Sequence, residues 1–230
     1  MTSQRLRTGI DLLASLSMIG VAVFLVWRAL APQQPANPTR HEITIPSKSV
    51  PIAGRLTRGS PEAKVGFIVV SEFECPFCAK FARETLPEID AKYIETGKVL
   101  LMFRHFPLEM HRFAQEAAEV AECAGRQGRF WPLHETLFGA AAKLTTEVIQ
   151  GAVETVGLDA LALKACRKTD VGGIIGADAA WAKGLNVVGT PSFLFGVRRA
   201  DGTLKIVEAF SGARPLPSFT EVLDRLLGGA

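Results

Sequence analysis

The feature of this sequence that most constrains its fold is an apolar run that stops at a pair of cysteines. Residues 65–73 (VGFIVVSEF) are nearly all apolar and rich in β-branched side chains, which is typical of a strand buried on both faces of a sheet. The motif CPFC follows at residues 75–78, and residues 76–95 then show the apolar spacing of a helix. The sequence therefore places both cysteines where a central strand passes into a helix.

This position gives the two cysteines different chemistry. A helix N-terminus carries unpaired N–H groups and about half a positive charge, which would stabilise a thiolate on Cys75. Pro76 falls near the first helical position, where its missing N–H costs nothing. Cys78 follows about one turn later, close enough to attack a mixed disulfide formed at Cys75. We therefore predict a redox pair in which Cys75 is the nucleophile and Cys78 resolves the intermediate.

A CxxC motif can also be half of a zinc site or an incidental pair. Zinc would require a second paired motif, but the remaining cysteines, Cys123 and Cys166, are single and far apart. The histidines show no ligand spacing either; they are His41, His105, His111 and His134. We therefore expect no metal site and no bound cofactor.

The rest of the chain alternates strands and helices around one long helical block. A short alternating run predicts a strand at residues 41–45, and residues 54–64 have the composition of a turn. The later pattern predicts a strand at 99–106, a helical block at about 111–184, strands at 187–197 and 204–210, and a helix at 215–227. A strand–helix–strand crossover implies that the first two long strands are parallel, and we expect the closing pair to form an antiparallel hairpin. The predicted fold class is α/β.

Four features resemble the DsbA-like group of the thioredoxin superfamily. They are the strand leading into FECPFC, the helical block inserted between strands, the segment GTPSF at residues 189–193, and the stretch AECAGRQGRFWPLHETLF at residues 121–138. The resemblance implies a thioredoxin-like domain over residues 42–230 whose helical insertion spans about residues 111–184.

The same resemblance implies supporting roles around the redox pair. Pro191 would follow a cis peptide bond, with Thr190 facing the cysteines, so that the neighbouring backbone could pair with an extended substrate. Glu72 matches a frequently acidic position of the family and would relay protons to Cys78; the alternative is a solvated charge at the strand end. Phe77 departs from the family pattern, because the strongest oxidants carry histidine between the cysteines.

The other two cysteines have a separate interpretation. Cys123 and Cys166 lie within predicted helices of the inserted block. In an oxidising compartment two such cysteines would form a structural disulfide. The alternative is two separately buried thiols.

The N-terminal segment differs in composition from the rest of the chain. Residues 12–27 (LLASLSMIGVAVFLVW) carry no charge, and the length of this run falls between a signal-peptide core and a membrane-spanning helix. We predict a cytoplasmic N-terminus at residues 1–8, a transmembrane signal-anchor at 9–30 and a Pro-rich linker at 31–41. This places the domain on the periplasmic side of the cytoplasmic membrane. The alternative is a secreted product that is cleaved near Ala31.

The charge balance excludes one class of partner. The chain carries 26 basic and 23 acidic side chains, with a formal net charge of +3. Most of that excess lies before residue 40, so the predicted domain is nearly neutral. Such a surface gives no electrostatic basis for binding nucleic acid, and we expect the protein to be a monomer.

The predicted function is thiol–disulfide exchange that oxidises cysteine pairs in unfolded or cysteine-containing exported proteins. By the resemblance, a DsbB-like or VKOR-like membrane protein would then reoxidise the chain. A first alternative is a reductase or isomerase of the same fold, kept reduced by a membrane donor. A second alternative, from a different class, is a membrane-tethered binding module or chaperone whose cysteines are structural.

Overall fold

A six-stranded sheet lies at the centre of the computed structural model, which describes residues 42–52, 56–140 and 144–229. The strands are β1 (Val50–Pro51), β2 (Leu56–Arg58), β3 (Val65–Ser71), β4 (Val99–His105), β5 (Ser192–Arg198) and β6 (Thr203–Ser211). Their order across the sheet is β1-β6-β5-β3-β4-β2. β3 and β4 are parallel, whereas β3 and β5, and β5 and β6, are antiparallel. The predicted parallel pair and the closing hairpin are both confirmed.

β3 is apolar along nearly its whole length because both faces of the sheet are covered. Phe67 and Val69 join the core on one face, while Ile68 and Val70 join a second core on the other. Successive side chains of a strand point to opposite faces, so a strand covered on both sides needs apolar residues at consecutive positions. The predicted central strand is therefore confirmed, although it ends at Ser71.

The helices follow the predicted order. They are α1 (Pro76–Lys80), α2 (Leu86–Ile89), α3 (Ala114–Arg126), α4 (Phe130–Gly139), α5 (Thr146–Thr155), α6 (Ala160–Cys166), α7 (Val171–Gly184) and α8 (Leu216–Gly228). A π-helical segment, Phe81–Thr85, joins α1 to α2, and a second, Asp90–Ile94, continues the helical stretch beyond α2. Helices α3 to α7 lie between β4 and β5 in the chain, which confirms the helical block predicted at about residues 111–184.

A buried ion pair fixes α7 to the sheet. Nη1 of Arg104 on β4 lies 3.0 Å from Oδ1 of Asp178 on α7, and their side chains are 3% and 4% exposed. The guanidinium of Arg104 also lies over the Trp181 ring, 3.9 Å from its centroid. Loss of one partner would weaken the compensation of the other's buried charge, so the pair disfavours displacement of α7. Because the chain leaves α7 only a few residues before β5 begins, this contact also sets the position of the loop between them.

The edges of the sheet differ from the prediction. The strand predicted at residues 41–45 is wrong for the described residues 42–45, where the N–H of Thr44 instead donates to the carbonyl of Leu185 at 2.8 Å. β2 lies in the segment predicted to be a turn, and it pairs with β4. β1 and β2 have two and three residues, which is too short for an alternating pattern to be visible in the sequence.

The predicted N-terminal segments lie outside the residues that the structure describes. This applies to the cytoplasmic N-terminus (1–8), the signal-anchor (9–30), the Pro-rich linker (31–41) and the alternative cleavage site near Ala31. Among the described residues, no helix has the length and apolar character needed to cross a bilayer. The N-terminal assignments therefore stay predictions from the sequence.

A disulfide links two helices of the inserted block. Cys123 on α3 and Cys166 on α6 are bonded, with their Cα atoms 5.8 Å apart and a separation of 43 positions in sequence. Side chains beside the bond reinforce the same helix pair: Nη2 of Arg167 lies 3.4 Å from a carboxylate oxygen of Glu119. The disulfide therefore closes a long loop within the inserted block.

Removal of this disulfide should destabilise the fold without affecting the redox pair. In the chain-entropy model, closing a loop of this length restricts the unfolded chain by about 4 kcal/mol. We therefore expect the Cys123→Ala/Cys166→Ala variant to lose about 2–4 kcal/mol of unfolding free energy in urea titrations, with thiol exchange at Cys75 unchanged. Mass spectrometry of untreated, unfolded and alkylated protein supplies the control. Alkylation of both Cys123 and Cys166 would contradict the bond.

Candidate active site

The two cysteines of the CPFC motif lie beyond the C-terminal end of β3, where several chain segments meet. β3 and β4 both end on this side of the sheet because they are parallel, and antiparallel β5 begins there. Cys75 is the N-cap of α1, with φ −72° and ψ 120°, and Pro76 opens the helix. The Sγ of Cys75 accepts a hydrogen bond from the N–H of Cys78 at 3.4 Å. The first cysteine therefore stands where the unpaired N–H groups of the helix end are directed.

The loop before β5 also reaches the first cysteine. The Sγ of Cys75 lies 3.5 Å from the carbonyl oxygen of Thr190, within hydrogen-bond reach of the protonated thiol, although 115 residues separate the two. The Thr190–Pro191 peptide bond is cis, as the resemblance implies, and Pro191 is buried. The hydroxyl of Ser192 donates to the carbonyl of Gly189 at 2.8 Å and holds the loop closed. The structure thus brings Thr190 and Pro191 to the redox pair.

The two thiols of the pair differ in acidity. The pKa of Cys75 is lowered from its usual 9.0 to about 5, chiefly by the hydrogen bond from the Cys78 thiol. Burial opposes this shift, while the Thr190 side chain and the N–H groups of Cys78 and Phe77 add to it. The pKa of Cys78 is raised well above its usual range by burial and by the neighbouring Cys75. At neutral pH the reduced pair therefore holds a thiolate at Cys75 and a proton on Cys78.

A buried carboxyl stands beside the pair. Glu72 directly follows β3 and is 0% exposed. Its Oε2 accepts a hydrogen bond from the N–H of Glu74 at 2.7 Å, and its Oε1 contacts Nδ1 of His111. Burial raises the pKa of Glu72 to about 7, against the lowering effects of the Glu74 N–H and of His111. The interpretation of Glu72 as a solvated charge at the strand end is therefore wrong.

His111 is a residue of the site that sequence reasoning missed. It lies 39 residues from Glu72 in sequence, and no spacing rule relates a strand end to the turn before a distant helix. The neighbouring Glu74 uses its carboxylate to accept a hydrogen bond from the N–H of Phe113 at 2.7 Å. Two acidic residues around the end of β3 therefore hold the turn that precedes α3.

The rim of the site is apolar and exposed. Phe77, between the two cysteines, is 61% exposed, while Met110 is 82% exposed and Val188 is 63% exposed. An open groove of about 430 Å³ is lined mainly by residues 106–110 and 187–188. Since a neutral ring stands where the strongest oxidants of the family have histidine, the low pKa of the first cysteine depends on hydrogen bonds. The site thus combines a thiolate with apolar surface that suits contact with unfolded polypeptide.

The remaining cysteines and histidines do not assemble into a metal centre. Among the described residues, no group of three or more His, Cys, Asp or Glu side chains could hold a metal ion. His105 and His134 are buried in an aromatic cluster with Phe73 and Phe103, and burial lowers the pKa of His134 to about 3. These two histidines are therefore part of the core, while His41 lies outside the described residues.

Comparison with known proteins relates this site to a family. A family model described as thioredoxin matches residues 53–211. The crystal structure of alpha-DsbA1 from Wolbachia pipientis is 26% identical and has a TM-score of 0.69, over 78% of this chain and 94% of that one. A thioredoxin-like oxidoreductase from Silicibacter pomeroyi DSS-3 is 25% identical and has a TM-score of 0.63, over 76% of this chain and 94% of that one. These similarities confirm the thioredoxin-like α/β fold with an inserted helical block.

Curated relatives share only part of their length with this chain. A protein named Na(+)/H(+) antiporter NhaA 1, from Salinispora arenicola (strain CNS-205), is 32% identical over 177 residues, which is 73% of this chain and 26% of that protein. The chain thus spans about a quarter of the length of the curated relatives it matches. The name of these relatives describes the whole antiporter, of which this chain matches only a part.

The family match and the geometry of the site agree. The matched residues 53–211 include the CPFC motif, the buried Glu72, and the loop with the cis bond before Pro191. The solved structures share the fold over most of their own length. The chain belongs to the thioredoxin family, in its DsbA-like group of thiol–disulfide oxidoreductases.

Proposed function

We propose that this chain oxidises pairs of cysteines in exported proteins, with Cys75 as the nucleophile and Cys78 as the resolving thiol. The observation that carries the proposal is the opposite acidity of the two thiols, since the pKa of Cys75 is lowered to about 5 and that of Cys78 is raised. The thiolate exists only when the disulfide is open. Whatever stabilises it therefore stabilises the reduced form and makes the disulfide more oxidising.

The size of the pKa shift of Cys75 supports an oxidant of intermediate strength. Thioredoxin and DsbA have reactive cysteines of pKa about 7 and about 3.5, with potentials of about −270 mV and about −120 mV. Cys75, with a pKa of about 5, lies between these two cases. Phe77 cannot supply the positive charge of a histidine, so the hydrogen bonds from Cys78 and from the first turn of α1 provide the stabilisation.

The stabilisation of the reduced form should depend on pH. Because the pKa of Cys75 is depressed in the folded protein from 9.0 to about 5, its contribution to stability is complete above about pH 9. It is lost progressively as the pH falls through about 5, where the thiolate becomes protonated. The disulfide form has no titrating thiol at this position, so the advantage of the reduced form decreases over the same range.

The exchange reaction follows from the burial of the two sulfurs. Cys75 is 3% exposed and Cys78 is 0% exposed, so Cys75 is the less buried of the two, and a substrate thiolate attacks its Sγ in the disulfide. The Cys75–Cys78 bond breaks, and its electron pair leaves on Cys78, which takes up a proton. A second substrate thiolate then attacks the substrate sulfur of the mixed disulfide, and Cys75 leaves as the stabilised thiolate. The substrate is oxidised by two electrons and the redox pair is reduced.

We place this activity on the periplasmic side of the cytoplasmic membrane, with residues 9–30 as a signal-anchor. Support comes from the uncharged run at residues 12–27 and from the Cys123–Cys166 disulfide, which is typical of oxidising compartments. Cleavage near Ala31 would release the domain into the same compartment. A monomer would act on unfolded or cysteine-containing exported proteins and pass its electrons to a DsbB-like or VKOR-like membrane protein.

A reductase or isomerase of the same fold is the second candidate. It is favoured by Phe77, because this residue replaces the histidine that makes the strongest oxidants of the family. A binding module or chaperone with structural cysteines is less well supported, since Cys75 and Cys78 are free thiols of opposite acidity. The redox state of the pair in growing cells separates oxidase from reductase.

The roles of the two cysteines can be tested by trapping. Cys78→Ser removes the resolving thiol, so mixed disulfides between Cys75 and client proteins should accumulate in cells. A reductant should cleave them. Cys75→Ser should trap no client and should lose the ability to oxidise a reduced model protein. Adducts on Cys78 in the Cys75→Ser variant would contradict the assignment of the nucleophile. Adducts in neither variant would support the binding module.

The origin of the low pKa can be tested with two variants at position 78. The hydrogen bond from the Cys78 thiol is the largest contribution, so Cys78→Ala should raise the pKa of Cys75 well above about 5. Cys78→Ser keeps a hydroxyl donor and should leave this pKa closer to the wild-type value. The ultraviolet absorbance of the thiolate, followed as a function of pH, measures both. Equal pKa values in the two variants would mean that the helix N–H groups alone set the acidity.

A further inference from the structure

The carboxyl of Glu72 is enclosed, but the imidazole that contacts it is not. The side chain of Glu72 is 0% exposed, whereas that of His111 is 20% exposed. Oε1 of Glu72 and Nδ1 of His111 are in direct contact. His111 therefore connects an enclosed acid beside the redox pair with the surface of the protein.

Backbone contacts hold both members of this pair in place. Oε2 of Glu72 accepts a hydrogen bond from the N–H of Glu74 at 2.7 Å. The N–H of His111 donates to the carbonyl of Leu108 at 2.9 Å, and the Glu74 carboxylate accepts from the N–H of Phe113 at 2.7 Å. The contact between carboxyl and imidazole is therefore set by a strand end and a turn that are fixed to each other.

The charges next to Glu72 make its protonation depend on the redox state. The charge on Cys75 raises the pKa of Glu72, whereas His111 lowers it. A thiolate on Cys75 and a carboxylate on Glu72 repel each other, and this repulsion is absent when Cys75 is part of a disulfide. Glu72 should therefore hold a proton more strongly in the reduced protein than in the oxidised one.

Two other titratable groups lie near the end of β3. His105 on β4 pairs in register with Ser71 at the end of β3, but its Nε2 lies 3.5 Å from Oε2 of Glu122 on α3. The Glu74 carboxylate is bound by the N–H of Phe113. Of the contributions to the pKa of Glu72, the charge on Cys75 changes with the redox state, whereas burial, the Glu74 N–H and His111 act in both states.

We propose that His111 is a positioning residue for the exchange reaction: it fixes the Glu72 carboxyl and connects it to solvent, so that this carboxyl takes up a proton when the disulfide is reduced and releases it when the disulfide forms. This inference rests on the exchange proposed for Cys75. Reduction by two electrons gives a Cys75 thiolate, places one proton on Cys78 and places a second proton on Glu72. Reoxidation returns both protons to solvent.

The measurable consequence is a bend in the dependence of the reduction potential on pH. In a two-electron couple, each proton taken up on reduction lowers the potential by about 30 mV per pH unit. The pKa of Glu72 is about 7 in the structure, where Cys75 and Cys78 are free thiols. Between the pKa of Glu72 in the oxidised protein and its pKa of about 7 in the reduced protein, the slope should therefore rise above that of one proton, and above about pH 7 it should return to that of one proton.

The test compares this bend in the wild-type protein and in variants, by equilibration with glutathione at a series of pH values. His111→Gln removes the imidazole that lowers the pKa of Glu72 but keeps a polar side chain, so the bend should move upward by about one pH unit or more. His111→Lys keeps a cation and should hold the bend at or below its wild-type position. Glu72→Gln should abolish the bend.

Arg112 offers a matched control in the same turn. Its exposed side chain lies over the Phe113 ring, so Arg112→Gln removes a nearby charge and should leave the bend in place. An unmoved bend in His111→Gln would make His111 a structural contact and overturn the proposal. His111→Asn gives the same decision if the Gln variant fails to fold. Because glutathione equilibration needs no client protein, a correct bend without trapped clients would reject only the proposed oxidase function.

Discussion

The rest of the site depends on the hydrogen bonds made by the Cys75 sulfur. The N–H of Cys78 reaches this sulfur from the first turn of α1, and Thr190 approaches it from a loop 115 residues away. Larger structure must bring these groups together: β3 and β4 end side by side, and the buried Arg104–Asp178 pair fixes α7 just ahead of the loop. A sheet covered on both faces therefore supports one sulfur whose pKa is about 5, even though burial alone would raise it.

The site also separates protons in the interior from reactive surface at the rim. Cys78 and Glu72 are completely buried, and desolvation raises the pKa of each, so burial favours the protonated form of both groups in the reduced protein. Phe77, between the two cysteines, and Met110 are exposed and offer apolar contact to an unfolded chain. A substrate thiolate thus attacks the Sγ of Cys75, and Cys78, the leaving group, takes up its proton inside the protein. This division explains how one short motif can both accept electrons and release a stable thiolate.

Much of this arrangement could be predicted from the sequence, because long elements and local chemistry determine it. The apolar run at residues 65–73, the motif that ends it and the helical block between strands each extend far enough to show a period. Thr190 was expected near the cysteines only through a family resemblance, since nothing local links residues so far apart. β1 and β2 are too short to show a pattern, and His111 meets its partner only through the tertiary fold. The anchor at residues 9–30 rests on hydropathy and flanking charge alone.

The central claim is that the reduced form of the Cys75–Cys78 pair is the stabilised one. The most direct test is the reduction potential of this disulfide at neutral pH, measured against glutathione and paired with thermal melts of both forms. A helix-capped thiolate without a histidine partner predicts a potential between about −270 mV and about −120 mV, with the reduced form melting at the higher temperature. A potential at or below about −270 mV, with the oxidised form melting higher, would contradict this account and support a reductase.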